Sequence, residues 1–314
     1  MELRRLRLLH ELSRCGTVAA VAEALAYSPS SVSVQLAQLE REAGVALLRR
    51  VGRNVELTAA GVRLAAYADE AMAADEAVRT ELANAGEGPH GRLRMTFPQT
   101  PALALLPGVL ARLEVTAPDL EVEVVQQETA PALQDLRSRA VDLVVGIEYD
   151  PLPVPRQRGV DRRDLLREDM LLALHPSGAR PPTTPVSLAS CERRVWATSH
   201  VGTGLEAAVR NVCNRLAGYE PDVRHRSDDA LVLAALVASG RAVALLPALL
   251  TTSIPHIAAH PLLEERLQRT IFTATRETTS AAPAVRAVRQ AFAETARIVA
   301  ATSTHLEVAD GAES

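Results

Sequence analysis

SPSSVSVQLAQLE, residues 28–40, is the stretch of sequence that decides the fold. Ser28 is a preferred helix N-cap and Pro29 suits the first helical position, so a helix begins here. Val32, Leu36 and Leu39 recur at helical spacing and predict that one face of this helix is buried. The opposite face is short, polar and uncharged, and it carries Ser30, Ser33, Val34 and Gln38.

Two shorter helices are predicted before this one, and a hairpin after it. Apolar residues recur at helical spacing from Leu3 to Leu12 until Gly16, and Thr17 then caps the helix VAAVAEAL. Beyond Gly44, RRVGRNVELT predicts two short strands around a Gly52-Arg53-Asn54 turn. The result is a three-helix unit with a wing that carries Arg49, Arg50 and Arg53.

The chain changes character after the wing. From Thr58 to Ala85 an alanine-rich stretch without proline predicts one long linker helix that pairs with another copy. EGPHG at 87–91 is a break rich in glycine and proline, and it predicts a domain boundary. Beyond it, short apolar runs such as VDLVVGI and RAVALLP alternate with helical patterns. This alternation predicts one or two parallel α/β sheets.

Composition places the chain among ordinary globular proteins, with 47% hydrophobic and 23% charged residues in 314. The N-terminus has no uninterrupted apolar region and no run is long enough to span a membrane, so we expect a cytoplasmic chain. Residues 1–58 carry eight arginines against six glutamates, whereas the whole chain has a net charge of −4. This basic N-terminal unit permits contact with DNA but is also unremarkable for a solvated surface.

The ordered motifs resemble the LysR-type transcriptional regulators over nearly the whole length. In the first unit the matching pieces are LRLLHEL, Gly16-Thr17, AEAL, SPSSVSVQLAQLE, Gly44-Val45, Leu47-Leu48, Arg50, Gly52-Arg53 and LTAAG. Further on they are GRLRMT, LLP at 105–107, PDLEVEV, VDLVVG, HPSG and SGRAVALLP. The sequence departs from the family pattern at Pro29, Val34 and Leu48. We expect these departures to change the preferred bases and to leave the fold unchanged.

The resemblance implies an α/β protein made of an all-α winged helix-turn-helix, a dimerising linker helix and an effector-binding domain. That last domain would be Rossmann-like with two subdomains, similar to periplasmic solute-binding proteins. The expected divisions are 1–58 for the winged unit, 59–88 for the linker, 89–306 for the effector domain and 307–314 for a frayed tail. Within the effector domain we expect subdomain I at 92–164 with 269–303, and subdomain II at 165–268, with crossover strands near Met170 and Ile271.

For DNA, the physical requirement is a helix that presents hydrogen-bonding or methyl-contacting side chains to the major groove. A plain polar surface helix explains the same side chains equally well from this helix alone. With the resemblance, the expected DNA contacts are Pro29, Ser30, Ser31, Ser33, Val34, Gln35, Gln38 and, on the wing, Arg53. A homodimer, or a homotetramer, would then read a dyad-symmetric promoter site, and contact with RNA polymerase is left open.

The effector is expected in the cleft between the subdomains, because ligands of parallel sheets bind beyond the carboxyl ends of strands. The residues there are Gln99, Thr100, Glu128, Thr129, Glu148, Tyr149, Thr198, Ser199 and Pro247. Hydroxyls and helix N-termini suit a carboxylate, whereas Glu148 or Asp150 suits an amine. No cofactor and no metal are expected beyond a small-molecule co-inducer of unknown identity.

Two other function classes compete with this interpretation. A solute-binding protein for transport would share the last two thirds of the chain but would need export. An enzyme would need a catalytic motif, and GxSxG, the P-loop, GxGxxG and HExxH are all missing from a fitting context. The three cysteines form no CxxC pair, which predicts core residues, with a redox pair of Cys191 and Cys213 as the open alternative.

Overall fold

The computed structural model of the chain describes residues 1–51, 54–86, 88–176, 184–251 and 257–309. The helices are α1 (Leu3–Cys15), α2 (Val18–Ala24), α3 (Pro29–Ala43), α4 (Ala59–Asn84), α5 (Gln99–Thr116), α6 (Thr129–Arg137), α7 (Gly204–Ala217), α8 (Ala230–Ala238), α9 (Ala248–Thr251) and α10 (Pro283–Ala300). The strands are β1 (Leu48–Val51), β2 (Asn54–Leu57), β3 (Gly91–Phe97), β4 (Leu120–Gln126), β5 (Leu143–Tyr149), β6 (Val160–Leu174), β7 (Val195–Thr198), β8 (Asp222–Arg226), β9 (Ala244–Pro247), β10 (Ala258–His260), β11 (Gln268–Arg276) and β12 (Leu306–Val308).

The first three helices and the hairpin form the head of the molecule. Ser28 caps α3 as predicted, because its Oγ accepts a hydrogen bond from the backbone N–H of Ser31 at 3.2 Å. Gly44 ends α3 in the left-handed conformation, with a φ of 68°. The buried residues of all three helices meet in one core around Leu9, Val21 and Leu36. Local capping and apolar spacing therefore suffice to build the head.

The long helix α4 begins against the wing. Thr58 caps it by accepting a hydrogen bond from the N–H of Gly61 at 3.0 Å. A Cβ on Gly61 would lie 2.1 Å from the carbonyl oxygen of Leu47, so only glycine permits this close approach. The start of the linker helix is thereby packed directly on the head.

Two lobes follow the linker helix. In the first, β3 pairs in parallel with β4 and β5, while β11 pairs antiparallel with β5. α5 and α10 pack on one face of this sheet, where Phe97 and Phe292 stack with ring centroids 5.3 Å apart. The predicted parallel sheet is therefore mixed, because the chain returns from the second lobe along β11.

The second lobe is built around buried Trp196 on β7, which pairs in parallel with β8. The 15-residue strand β6 belongs to both lobes, since it pairs with β11 up to Asp169 and with β9 and β10 beyond it. The division predicted between 164 and 165 thus falls inside one strand, and Leu165 and Leu166 pack in the core of the first lobe.

The expected tail from 307 needs a correction. Leu306–Val308 form β12, which pairs antiparallel with β6, and the N–H of Ala309 donates to the carbonyl of Leu165 at 3.1 Å. Leu306 is buried in the first lobe, so its burial draws the end of the chain into the sheet. Residues 310–314 of the predicted tail lie outside the described residues.

None of the helices described combines the length and the apolar character needed to cross a membrane.

Candidate functional site

The exposed face of α3 lies on the outside of the head. Pro29, Ser30, Ser33 and Val34 are exposed, and Val34 has 62% of its surface accessible. Ser33 Oγ donates to the carbonyl of Pro29 at 2.9 Å, which leaves its oxygen free to accept a hydrogen bond from elsewhere. This face combines an apolar methyl-bearing side chain with hydroxyls and carries no charge.

The remaining residues predicted on α3 are more constrained. Ser31 and Gln35 are half-buried, and Gln35 Oε1 accepts a hydrogen bond from Arg5 Nε at 3.0 Å. Gln38 Nε2 donates to Glu42 at 3.1 Å. Gln35 is thereby tied to α1, whereas Gln38 can exchange its partner for one outside the protein.

On the wing, Arg49 pairs with Glu56 across the two strands at 2.8 Å, and Arg50 is exposed. Arg53, the predicted wing contact, lies outside the described residues.

The strand ends and helix starts of the two lobes meet around one small cavity. Six of the nine residues predicted there line it, namely Gln99, Thr100, Glu128, Tyr149, Ser199 and Pro247. Gln99 and Thr100 open α5, Glu128 precedes α6 and Tyr149 ends β5, so all four come from the first lobe. Ser199 and Pro247 come from the second lobe. The cavity therefore lies between the lobes.

Arg269 lies at the base of this cavity and organises it. Its guanidinium is fully enclosed and donates to Thr100 Oγ1 at 2.6 Å and to Glu168 Oε1 at 2.7 Å. Glu168 is itself fully buried and also accepts the N–H of Leu249 at 3.0 Å. Burial lowers the pKa of Arg269, but the charge of Glu168 and the hydroxyl of Tyr149 outweigh this effect and the pKa is raised. Arg269 is therefore a permanent, neutralised cation.

Gln99 closes the mouth of the cavity. Its Nε2 donates to Asp229 Oδ1 at 2.8 Å, and its Oε1 accepts the N–H of Ala230 at 2.7 Å. Asp229 is the N-cap of α8 in the second lobe, whereas Gln99 begins α5 in the first. One side chain thus joins the two lobes through two hydrogen bonds, and we call this contact the Gln99 clasp.

The cavity is narrow and its rim is acidic. Its volume is about 50 Å³, whereas pockets that hold small molecules enclose roughly 300–1,000 Å³. Burial, followed by the nearby charge of Asp228, raises the pKa of Glu128 above its usual value. The structure thus shows a closed cleft with room for water alone.

Three predicted residues do not line the cavity. Thr129 accepts the N–H of Ile147 at 2.8 Å and thereby ties α6 to β5. Glu148 points to Arg162, whose Nη1 donates to it at 2.6 Å, and this partner lowers the pKa of Glu148 against the opposing effect of burial. Thr198 is buried, and its Oγ1 has no hydrogen-bond partner among the described residues. Their roles in effector binding stay predictions.

Sequence reasoning missed several residues of the cavity. Arg269, Thr203 and Asp228 line it. Thr203 caps α7, so the N-cap pattern that located Ser28 could have found it. Arg269 had one available signal, which is a charged residue near the start of a strand that contains Ile271 and Phe272.

The two cysteines considered as a redox pair are free thiols in the core of the second lobe. Burial raises the pKa of Cys213 to about 11 and also raises that of Cys191. The reactive thiolate is therefore scarce at neutral pH, which is typical of structural cysteines. No group of three or more potential metal ligands occurs within the described part of the chain.

Comparison with known proteins agrees with this architecture. Residues 3–62 match the model of the bacterial regulatory helix-turn-helix protein of the lysR family, and residues 86–297 match the LysR substrate binding domain. The probable HTH-type transcriptional regulator LrrA of Synechococcus elongatus is 28% identical over 304 residues, which cover 96% of this chain and 100% of LrrA.

Two solved structures are also similar to the structure of this chain. A full-length OxyR variant from Pseudomonas aeruginosa has a TM-score of 0.65 at 22% identity, with 94% of each chain covered, and shares the fold. Full-length CbnR in complex with its target DNA has a TM-score of 0.52 at 26% identity, covering 93% of this chain and 100% of CbnR. With both family models matched in order along its length, this chain belongs to the LysR family and is a DNA-binding transcriptional regulator with an effector-binding domain.

Proposed function

We propose that this regulator binds a dyad-symmetric promoter site as a homo-oligomer and responds to a small molecule held between its two lobes. The proposal rests above all on one observation. The cavity is lined by helix starts and strand ends of both lobes, with the buried Arg269 between them. A ligand there contacts both lobes at once and so can change their relative position.

For DNA reading, we assign the exposed face of α3 to the major groove. The hydroxyls of Ser30 and Ser33 and the amide of Gln38 suit base edges, and the exposed Val34 suits a thymine methyl group. Pro29, Ser31 and Gln35 lie at the border of this face, and Arg53 is assigned to the phosphates or the minor groove. Because the face has no charge, the arginines of the wing supply much of the affinity.

For assembly, the linker helix offers a seam to a second copy. This seam is a stripe of residues spaced three or four positions apart, namely Tyr67, Ala71, Ala74, Val78 and Leu82. Tyr67, Val78 and Leu82 are more than half exposed. An apolar stripe of this kind on a solvated helix is stabilised by pairing. We therefore propose a homodimer through α4, with a homotetramer as the higher assembly.

For coupling, α6 links the cleft to the head. Glu128 precedes α6 at the cavity, and the nine residues of the helix span about 13 Å. At its far end the carbonyls of Gln134 and Ser138 accept hydrogen bonds from Arg14 at 3.1 Å and from Arg7 at 3.4 Å. Both arginines belong to α1 of the head. A ligand that displaces α6 would alter this contact directly.

The test of DNA reading compares specific and random DNA. We expect Ser33→Ala and Gln38→Ala to change sequence preference by about 1–3 kcal/mol per lost base contact, with little change on random DNA. Arg53→Ala weakens binding to both DNAs and flattens the salt dependence. Ser190→Ala, an exposed serine of the second lobe, is the matched control. Equal losses on both DNAs for all three variants would contradict the base-reading roles.

The remaining expectations complete the proposal. The family and its named relatives are transcriptional regulators, and we propose that this chain has no catalytic activity, acts in the cytoplasm and contacts RNA polymerase at its promoter. We also propose the predicted division into a winged unit (1–58), a linker (59–88) and a two-lobed effector domain. Turnover of a substrate by the purified chain would contradict the first of these points.

A further inference from the structure

A second and much larger cavity lies between the head and the first lobe, on the side of α1 that faces the linker helix. Its volume is about 620 Å³, which is within the roughly 300–1,000 Å³ of small-molecule pockets. Leu8 and Tyr27 of the head and Met72 of α4 give it an apolar part. The cavity is distinct from the cleft between the lobes, and none of its lining residues is shared with that cleft.

The lining of this cavity is rich in arginine. It includes five arginines against two carboxylates. Three of the arginines are neutralised locally. Arg79 pairs with Asp75 at 2.7 Å and Arg94 with Glu123 at 2.9 Å. Arg139 pairs with Asp69 at 3.3 Å through its Nη1 and lies 4.0 Å from Glu76 through its Nε.

Arg4 and Arg7 have no carboxylate partner among the described residues. Arg4 stacks over the ring of Tyr27 at 5.1 Å from the centroid, and Arg7 Nη2 donates a long hydrogen bond to the carbonyl of Ser138 at 3.4 Å. In the part of the chain that the structure describes, the buried Nε atoms of Arg7 and Arg139 have no hydrogen-bond acceptor. A buried guanidinium N–H without an acceptor is costly, because its hydration is lost and not replaced.

The lining carries unneutralised charge, unsatisfied donors and enough space for a ligand at the same place. We propose that this cavity binds a small organic anion with two or more negative charges, either a polycarboxylate or a phosphorylated compound. The anion accepts hydrogen bonds from Arg4 and Arg7 of the head and from Arg139 of the first lobe. Its carbon skeleton contacts Tyr27 and Met72. A ligand in this position links the DNA-reading head to the effector domain.

The experiment is isothermal titration of the full chain with citrate and, separately, with pyrophosphate, at ionic strength matched with sodium chloride. We expect saturable binding of at least one of the two, and the preferred anion tells a carboxylate ligand from a phosphate ligand. Arg7→Gln and Arg139→Gln should each weaken that binding about tenfold, the loss expected for one charged hydrogen bond. Arg193→Gln, an exposed arginine of the second lobe, is the matched control and should bind as the unmodified chain does.

Arg7 and Arg139 also hold neighbouring parts of the chain together, so their variants are compared only if they melt cooperatively. Arg4→Gln removes a cavity cation that stacks on the ring of Tyr27, and a similar loss of affinity is expected from it. The proposal is overturned if neither anion binds saturably, or if all three cavity variants bind as well as Arg193→Gln. If Arg4→Gln and Arg7→Gln weakened anion binding but Arg139→Gln did not, the anion would not link the head to the effector domain.

Discussion

The two cavities of this chain differ in size and in how their polar groups are satisfied. Between the lobes, the charged and amide groups bond to one another across about 50 Å³ of space, as in the Gln99 clasp and the Arg269–Glu168 pair. Between head and first lobe, about 620 Å³ is lined by five guanidinium groups, and two of these have Nε atoms with no hydrogen-bond acceptor among the residues described. The first cavity must therefore widen before a ligand enters, whereas the second already has the volume of a ligand site. A polar network that is complete stabilises the closed state and is disrupted when a ligand takes its place.

The largest effect is expected from breaking the completed network. Arg269→Met leaves Glu168 buried without its cation, so we expect a loss of about 3–5 kcal/mol in the free energy of unfolding, measured with urea. Arg7→Gln, in the open cavity, should cost less than about 1 kcal/mol because its guanidinium makes one long hydrogen bond.

A double variant separates the buried charge from general disruption of the fold. Glu168→Gln combined with Arg269→Met should recover part of the lost stability, because no charge is then buried alone. If Arg269→Met and Arg7→Gln lowered the free energy of unfolding equally, the proposed difference in stabilisation between the two cavities would be contradicted.

A smaller effect is expected at the mouth of the closed cavity. Gln99→Leu removes both hydrogen bonds of the clasp, so the N–H groups at the start of α8 should exchange with deuterium about tenfold faster. Gln290→Leu is the matched control, since Gln290 Nε2 donates to Glu294 on its own helix, at 3.0 Å. Unchanged exchange at Ala230 in the Gln99 variant would show that the clasp does not hold the lobes together.

The smallest effect is expected at the acidic rim. Burial and Asp228 raise the pKa of Glu128 from its ordinary value of 4.5, so the folded state favours the protonated carboxyl. Protonation of Glu128 therefore contributes to the free energy of unfolding. This contribution has its full value below the ordinary pKa and is lost as the pH rises through the raised pKa. Glu128→Gln should therefore melt slightly higher than the unmodified chain at neutral pH and equally at acidic pH. A lower melting temperature at neutral pH would contradict this sign.

The sequence alone was sufficient to predict features that depend on residues close together along the chain. Ser28, Pro29 and Gly44 begin and end α3 through local capping, and the strand-end rule located Gln99, Thr100 and Tyr149 at one cavity. Arg269 was missed because its partner Glu168 lies 101 positions away and only the crossing of β6 and β11 brings them together. Glu148 follows the same strand-end rule but is held by Arg162 instead.

The cavity between the head and the first lobe could not be predicted either, because residues far apart along the chain form it. Its lining combines α1 with Met72 of the linker helix and Arg139 after α6, which no local pattern connects. The β12 strand was also missed, because three residues that pair with a distant strand leave no periodic signal.

The most direct test of the central claim uses an effector found by a thermal-shift screen of small metabolites on the full chain. The measurement is its dose-response curve for DNA binding, compared between the unmodified chain and Thr100→Val. Thr100 lines the cleft and accepts the hydrogen bond of Arg269, so we expect the curve of the variant to move to higher effector concentration. DNA affinity without effector should be the same in both. An identical dose-response curve would contradict an effector site between the lobes.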